Sequence, residues 1–234
     1  MADRNPTGAP ASRLVATRIP ENPDGVVIVL HGGGGRRGAM MVRPTQLSVL
    51  RMIPIAWRIA RRGKGRLAVF RLLNSTRGWN AEHTPVDDAR WAIKQVVERY
   101  GAEIPIALVG HSLGGRAALL TAAHAPVNAV VALNPYLHSQ DRYADLAGTA
   151  VLVVHGTADR VASLATAEAV VHGLRQRADV TLVRVVGGKH AMLSRHRVFD
   201  GLASDFVISE LLSGYDVPGS APWPSTGRRS DLPG

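Results

Sequence analysis

Residues 110–115 read Gly-His-Ser-Leu-Gly-Gly, between an apolar run at 104–109 and a run of helix formers at 116–123. A strand feeding a helix through so tight a turn permits glycine alone at its flanking positions, because a Cβ there would collide with neighbouring backbone. A glycine-rich turn without chemistry could share this composition. The bounding strand and helix are, however, the context required of a G-x-S-x-G nucleophile elbow, which holds a serine hydroxyl above a sheet edge at a helix N-terminus. Ser112 is therefore the candidate nucleophile.

A serine hydroxyl needs a base, and the base needs a carboxylate to orient it. In an elbow-bearing chain the order is serine, acid, histidine. Downstream of Ser112 the apolar run 150–154 leads into His155-Gly156-Thr157-Ala158-Asp159, and the run 180–186 into Gly187-Gly188-Lys189-His190. Both segments follow strands, at the edge where parallel α/β sheets build their sites. Asp159 and His190 are the expected acid and base. His196 follows the same strand as His190 but lies deeper in an arginine-rich stretch that reads as helix. Asp141 and Asp145 follow the preceding strand, which ends in the non-ionisable Asn134, so Asp159 is favoured over both.

Upstream, the run 26–30 ends in His31-Gly32-Gly33-Gly34-Gly35. Such a loop can turn backbone N–H groups toward a developing oxyanion, with the N–H of Leu113 as the second donor. A phosphate-binding loop would need G-x-x-x-x-G-K-[ST], or G-x-G-x-x-G with a ribose-binding acid, and neither pattern is present. Gly33, Gly34 and Leu113 are the expected oxyanion and substrate-binding residues. His31 is expected to pin this loop, His111 to point away from Ser112, and His155 to be structural.

On residues 30–35, 110–115, 155–159 and 188–190 the chain resembles the α/β-hydrolase superfamily, specifically its small lidless serine esterases and dienelactone-hydrolase-like members. The motifs occur in that family's order and span 26 to about 212. The resemblance implies a serine nucleophile with Asp159 as acid and His190 as base, and hydrolysis of an ester or related acyl bond. Dienelactone hydrolases use a cysteine nucleophile, and this chain has no cysteine; that activity in its strict form is not expected.

The absence of cysteine also excludes disulfides and thiolate metal sites. No His-Glu-x-x-His or paired acidic motif offers ligands, so neither metal nor cofactor is expected. The formal net charge of +10 raises the question of nucleic acid. Yet all 28 basic residues except Lys64, Lys94 and Lys189 are arginine, spread along the chain without an aromatic-studded basic face. The densest group is Arg58, Arg61, Arg62, Lys64 and Arg66. A solvated helix end is the favoured reading of it, with contact to anionic lipid the alternative. No apolar stretch approaches membrane-spanning length, and residues 1–10 lack the apolar core of a signal peptide, so a cytoplasmic location is expected.

Apolar runs alternate with helical patterns, predicting an α/β fold: a mostly parallel sheet of about six or seven strands with helices on both faces. Expected strands are 14–19, 26–30, 67–73, 104–109, 127–133, 150–154 and 180–186. Expected helices are 46–62 (bent near Pro54), 85–100, 113–123, 165–177 and 198–212. Residues 134–149, where larger relatives insert a lid, are too few for a domain, so the site should be open. A flexible N-terminus (1–11), one domain (12–213) and a disordered Pro/Gly/Ser-rich tail (214–234) complete the organisation.

The expected activity is hydrolysis of small carboxylic esters with short to medium acyl chains through an acyl-enzyme. Thioester or amide cleavage, acyl transfer or perhydrolysis on the same residues is the alternative, and an idle binding fold the remaining one. Trp79, Tyr136 and Leu137 are candidates for the acyl pocket or for packing. The sequence leaves the oligomeric state open.

Overall fold

The computed structural model describes residues 12–33, 42–79, 83–212 and 230–232. Strand β2, Gly25–Leu30, reads GVVIVL and is buried along its whole length. A strand apolar on both faces needs a cover on each side, and its residues divide accordingly. Val26, Ile28 and Leu30 join one core with α3 (Thr84–Tyr100), α4 (Leu113–Ala122) and α5 (Leu164–Leu174). Val27 and Val29 face the other, built with α2 (Met52–Arg62) and α6 (His196–Leu211).

Around β2 lie β1 (Arg13–Arg18), β3 (Leu67–Leu73), β4 (Ile106–His111), β5 (Ala129–Leu133), β6 (Ala150–Gly156) and β7 (Val180–Val185). The sheet order is β1-β3-β2-β4-β5-β6-β7, with only β1 antiparallel to its neighbour. From β2 the chain goes outward to β3, then returns to place β4 on the other side of β2. That reversal opens a crevice at the C-terminal ends of β2 and β4, where open α/β sheets bind ligands. The seven strands and two helical layers match the expected α/β fold.

Three details depart from the expected boundaries. The helix expected at 46–62 is divided at Arg51 into α1, Leu47–Leu50, and α2. Pro54 then falls in the first turn of α2, where a missing N–H costs no helical bond. Strand β4 begins and ends two residues later than the expected 104–109, reaching into the elbow itself. Of the tail expected to be disordered, Ser230–Leu232 forms a short eighth strand, β8, parallel to β7. It pairs with backbone groups that β7 would otherwise leave open at the sheet edge. The rest of 214–234, and all of 1–11, lie outside the described residues.

Residues 134–149, between β5 and β6, carry only a five-residue 3-10 helix, Ser139–Tyr143. Among the described residues no lid covers the crevice. No described helix is long and apolar enough to cross a membrane.

Candidate active site

The elbow is held by close approach of backbone to backbone. A Cβ on Gly110 would fall on the Gly114 carbonyl, and one on Gly114 would lie 2.6 Å from the carbonyl oxygens of Leu30 and His31. With no room for side chains there, the turn can close tightly enough to give Ser112 φ 54° and ψ −119°. A non-glycine residue in that region is strained, and such strain persists only where the surroundings over-determine it. Here the Ser112 N–H donates to Leu133 O (3.0 Å), and Ser112 O accepts from Tyr136 N–H (3.1 Å). The hydroxyl stands beside the α4 N-terminus, whose first N–H groups, Leu113 among them, have no partner inside the helix.

Three sequence-predicted residues meet at this point. Ser112 Oγ lies 3.0 Å from His190 Nε2, and His190 Nδ1 lies 2.8 Å from Asp159 Oδ2. The Asp159 side chain is fully buried. Its Oδ1 accepts from the N–H groups of Val161 (2.8 Å) and Ala162 (3.0 Å), so the carboxylate is anchored by its own turn. With the Nδ1 proton donated to Asp159, His190 Nε2 is the free acceptor for the Ser112 hydroxyl.

The rivals go elsewhere. His196 is exposed and bonds the Leu193 carbonyl through Nδ1 (3.1 Å). Asp141 is consumed in a buried bidentate pair with Arg116, at 2.8 and 3.0 Å. Asp145 is exposed and caps the Ala147 N–H. Gly33 lines the cleft with Gly32 and Leu113, whereas Gly34 lies outside the described residues.

Three side chains hold the loop of the candidate base in place, and sequence reasoning missed this role in each. Asn134, fully buried with φ 41°, donates through Nδ2 to the carbonyls of Lys189 (3.0 Å) and His190 (3.1 Å). Its Oδ1 accepts from Gly156 N–H (2.7 Å), so one amide ties β5, β6 and the base loop together. His111 donates through Nε2 to the same His190 carbonyl (2.8 Å), its ring 5.0 Å from that of His190. Burial first, and then the neighbouring His190, lower the His111 pKa to about 4, so it is neutral at ordinary pH. Arg51 donates to the carbonyls of Ala191 (3.2 Å) and Met192 (3.4 Å) and pairs with the buried Asp200 at 2.7 Å. The signal available in the sequence was Asn134 itself, a buriable amide at a strand end where only a donor–acceptor pair would serve.

His31 behaves as expected of a loop pin. Nδ1 donates to Gly32 O (2.7 Å) and Nε2 accepts from Asn74 N–H (3.3 Å), an arrangement of the neutral ring that burial also favours by lowering its pKa. His155, fully buried, bonds Ala162 O (3.2 Å) and lies 3.8 Å from Asp159; burial lowers its pKa. Among the described residues, no group of three or more His, Asp or Glu side chains is placed to hold a metal ion.

Over this floor opens a cleft of about 930 Å³, with Trp79, Leu113, Tyr136, Val161 and Leu193 among its apolar walls. The half-buried Trp79 both lines the cleft and packs under the Arg116 guanidinium, 4.4 Å from its ring centroid. Leu137 is buried in the core instead. Among the described residues, Arg51 and Arg116 are the cations on the wall, each neutralised by its own buried carboxylate.

A family model described as Serine aminopeptidase, S33 matches residues 21–150, more than half of the chain. None of the curated proteins compared with it matches. Among solved structures, Est1E from Butyrivibrio proteoclasticus with ferulic acid bound superposes with a TM-score of 0.62 at 16% identity, covering 86% of this chain and 95% of that one. An esterase from Pyrobaculum calidifontis gives 0.63 at 18% identity, over 84% and 82%. An alpha-beta serine hydrolase homologue from Coxiella burnetii gives 0.63 at 19%, over 84% and 91%. At these identities the likeness is one of fold.

Proposed function

The chain belongs to the serine aminopeptidase S33 family of the α/β-hydrolase superfamily and is a hydrolase; from that premise we propose that the bond it cleaves is a carboxylic ester with a short to medium acyl chain. The observation that carries this reading is the hydrogen-bonded series Ser112–His190–Asp159 at the floor of an apolar cleft.

His190 Nε2 takes the Ser112 proton as the hydroxyl oxygen attacks the acyl carbon, while Asp159 holds the ring and stabilises the imidazolium. The N–H groups of Leu113 and Gly33 face the developing oxyanion, with Gly34 assigned beside them from the sequence. The imidazolium returns its proton to the departing alkoxide and leaves an acyl group on Ser112. Water, activated by the same His190, then releases the acid.

The cleft chemistry favours ester over N-terminal peptide. An aminopeptidase must hold a substrate ammonium next to the scissile bond, which calls for a carboxylate. Among the described residues lining the cleft there is none, and the charged groups present are the guanidiniums of Arg51 and Arg116. A neutral acyl ester meets no such conflict.

The test is turnover of p-nitrophenyl acetate and butyrate beside leucine p-nitroanilide. Ester hydrolysis, with a fluorophosphonate adduct mapping to Ser112, is the expected outcome. Cleavage of the anilide alone, or an adduct on another residue, overturns the proposal.

A further inference from the structure

The floor of the cleft is explained by the chemistry proposed for it; its mouth is not. Leu47, Leu50, Tyr136, Val161 and Leu193 all line the opening and are all exposed: Leu47 by 84%, Leu193 by 68% and Val161 by 60%. They come from α1 and from the loops after β5, β6 and β7, so no single amphipathic helix accounts for them. Isolated exposed apolar residues need no explanation, but a ring of them around one opening marks an interaction surface.

The ring continues along the outer face of α2. Pro54 lines both the cleft and a second hollow of about 470 Å³, where Trp57, 56% exposed, stands beside Arg18, Arg58 and Arg61. None of these three arginines has an ion-pair partner among the described residues. Among the described residues the one acid lining the hollow, Asp200, is already paired with Arg51. Nearby Arg62 and Arg66 are balanced by Asp205 and Asp24. The surface thus joins an apolar ring, a tryptophan and three uncompensated guanidiniums.

We propose that this face docks on an anionic lipid surface. The ring enters the acyl layer, Trp57 lies at headgroup depth, and Arg18, Arg58 and Arg61 meet lipid phosphates. The cleft then opens into the layer that holds its substrate, an ester dissolved in lipid. Only this choice of substrate rests on the esterase reading; the docking does not. A second copy of the chain is a poorer occupant, because a two-fold contact would set the arginine cluster against itself. A protein partner seated on the ring would close the cleft.

The experiment is sedimentation of the full chain with vesicles of phosphatidylcholine, with and without phosphatidylglycerol. Binding to the anionic vesicles is expected to be at least about tenfold tighter, and to weaken about tenfold in Trp57→Ala and in Arg61→Glu. Arg90→Glu, on α3 across the sheet, reverses the same charge and is expected to bind like the unaltered chain. Trp57→Ala and Arg61→Glu are expected to retain p-nitrophenyl acetate turnover, which also reports that they fold. No binding to anionic vesicles, equal loss in Arg90→Glu, or a dimer in light scattering that Trp57→Ala abolishes would each overturn the proposal. Vesicle binding without ester turnover would remove the esterase reading and leave the docking face standing.

Discussion

The polar groups on the floor of the cleft largely bond to one another, whereas the side chains at its mouth reach toward solvent with apolar ends. On the floor, Asn134, His111 and Arg51 supply five donations to four consecutive carbonyls, residues 189–192. Ser112, Asn134 and Met192 hold positive φ there, a backbone cost that only dense contacts maintain. At the mouth, Leu47, Val161 and Leu193 have few neighbours to lose. On the function proposed, the floor keeps reacting atoms in register and the mouth stays free to meet a lipid surface. Substitutions should therefore differ in kind between the two regions as well as in size.

The largest effect is expected at the proposed nucleophile and base. Ser112→Ala and His190→Ala should each lower ester turnover by on the order of 10⁴, with unfolding by urea unchanged or nearly so. If His196→Ala removed activity and His190→Ala did not, the floor would have been assigned to the wrong histidine.

Next comes Arg51→Met, which strands the buried Asp200 carboxylate and frees two carbonyls of the base loop. A loss of about 3–5 kcal/mol in urea unfolding is expected, because breaking one side of a buried ion pair leaves an uncompensated charge. A loss within the error of the measurement would mean that the pair does not hold the floor.

Acid should loosen the floor before it affects the mouth. The unfolded chain takes up a proton on His111 as pH falls below 6.5, whereas the folded chain does so only near 4. The stability associated with neutral His111 is lost across that window, at most on the order of 3 kcal/mol. His31 and His155, also lowered by burial, act in the same direction. His111→Gln keeps a donor for the His190 carbonyl without the titration, so its unfolding free energy should depend less steeply on pH between 6.5 and 4. An unchanged slope would place the acid sensitivity elsewhere.

Asn134→Asp is subtler, being nearly the same shape. It retains an acceptor for Gly156 N–H but has no N–H for the carbonyls of Lys189 and His190. Each unpaired buried group costs about 1–3 kcal/mol, so a lower melting temperature is expected together with a fall in kcat larger than the change in KM. A change in KM alone would argue that Asn134 shapes the cleft and does not position the base. Smallest of all is Trp57→Ala in the hollow beside the mouth, expected within about 0.5 kcal/mol in stability. A larger cost would mean that Trp57 packs against the body of the protein.

Much of the fold was legible because its signals are local. Strand β2 is an unbroken apolar run and α3 a 3.6-residue pattern stopped by Gly101, so each could be read without its neighbours. The glycines of the elbow are equally local, since the collisions that exclude a Cβ involve Gly110, Gly114 and the adjoining strand. The part played by Arg51 was not legible, because its side chain reaches the 189–192 loop and Asp200, distant in sequence. Strand β8 was missed for a similar reason: its pairing depends on the open edge of β7 and not on three residues of modest strand propensity.

From the sequence alone came the α/β class, the candidates Ser112, Asp159 and His190 in that order, and the glycine loop placed at the same edge; chain order and strand ends suffice to nominate them when a parallel sheet gathers all its C-terminal turns on one side. Only the tertiary structure set His190 Nε2 3.0 Å from Ser112 Oγ, spent Asp141 on Arg116, gave Asn134 its bridging role and collected five exposed apolar side chains around one opening. Each of those depends on distances between segments far apart in the chain, which a side chain's identity does not encode until the sheet has brought them together.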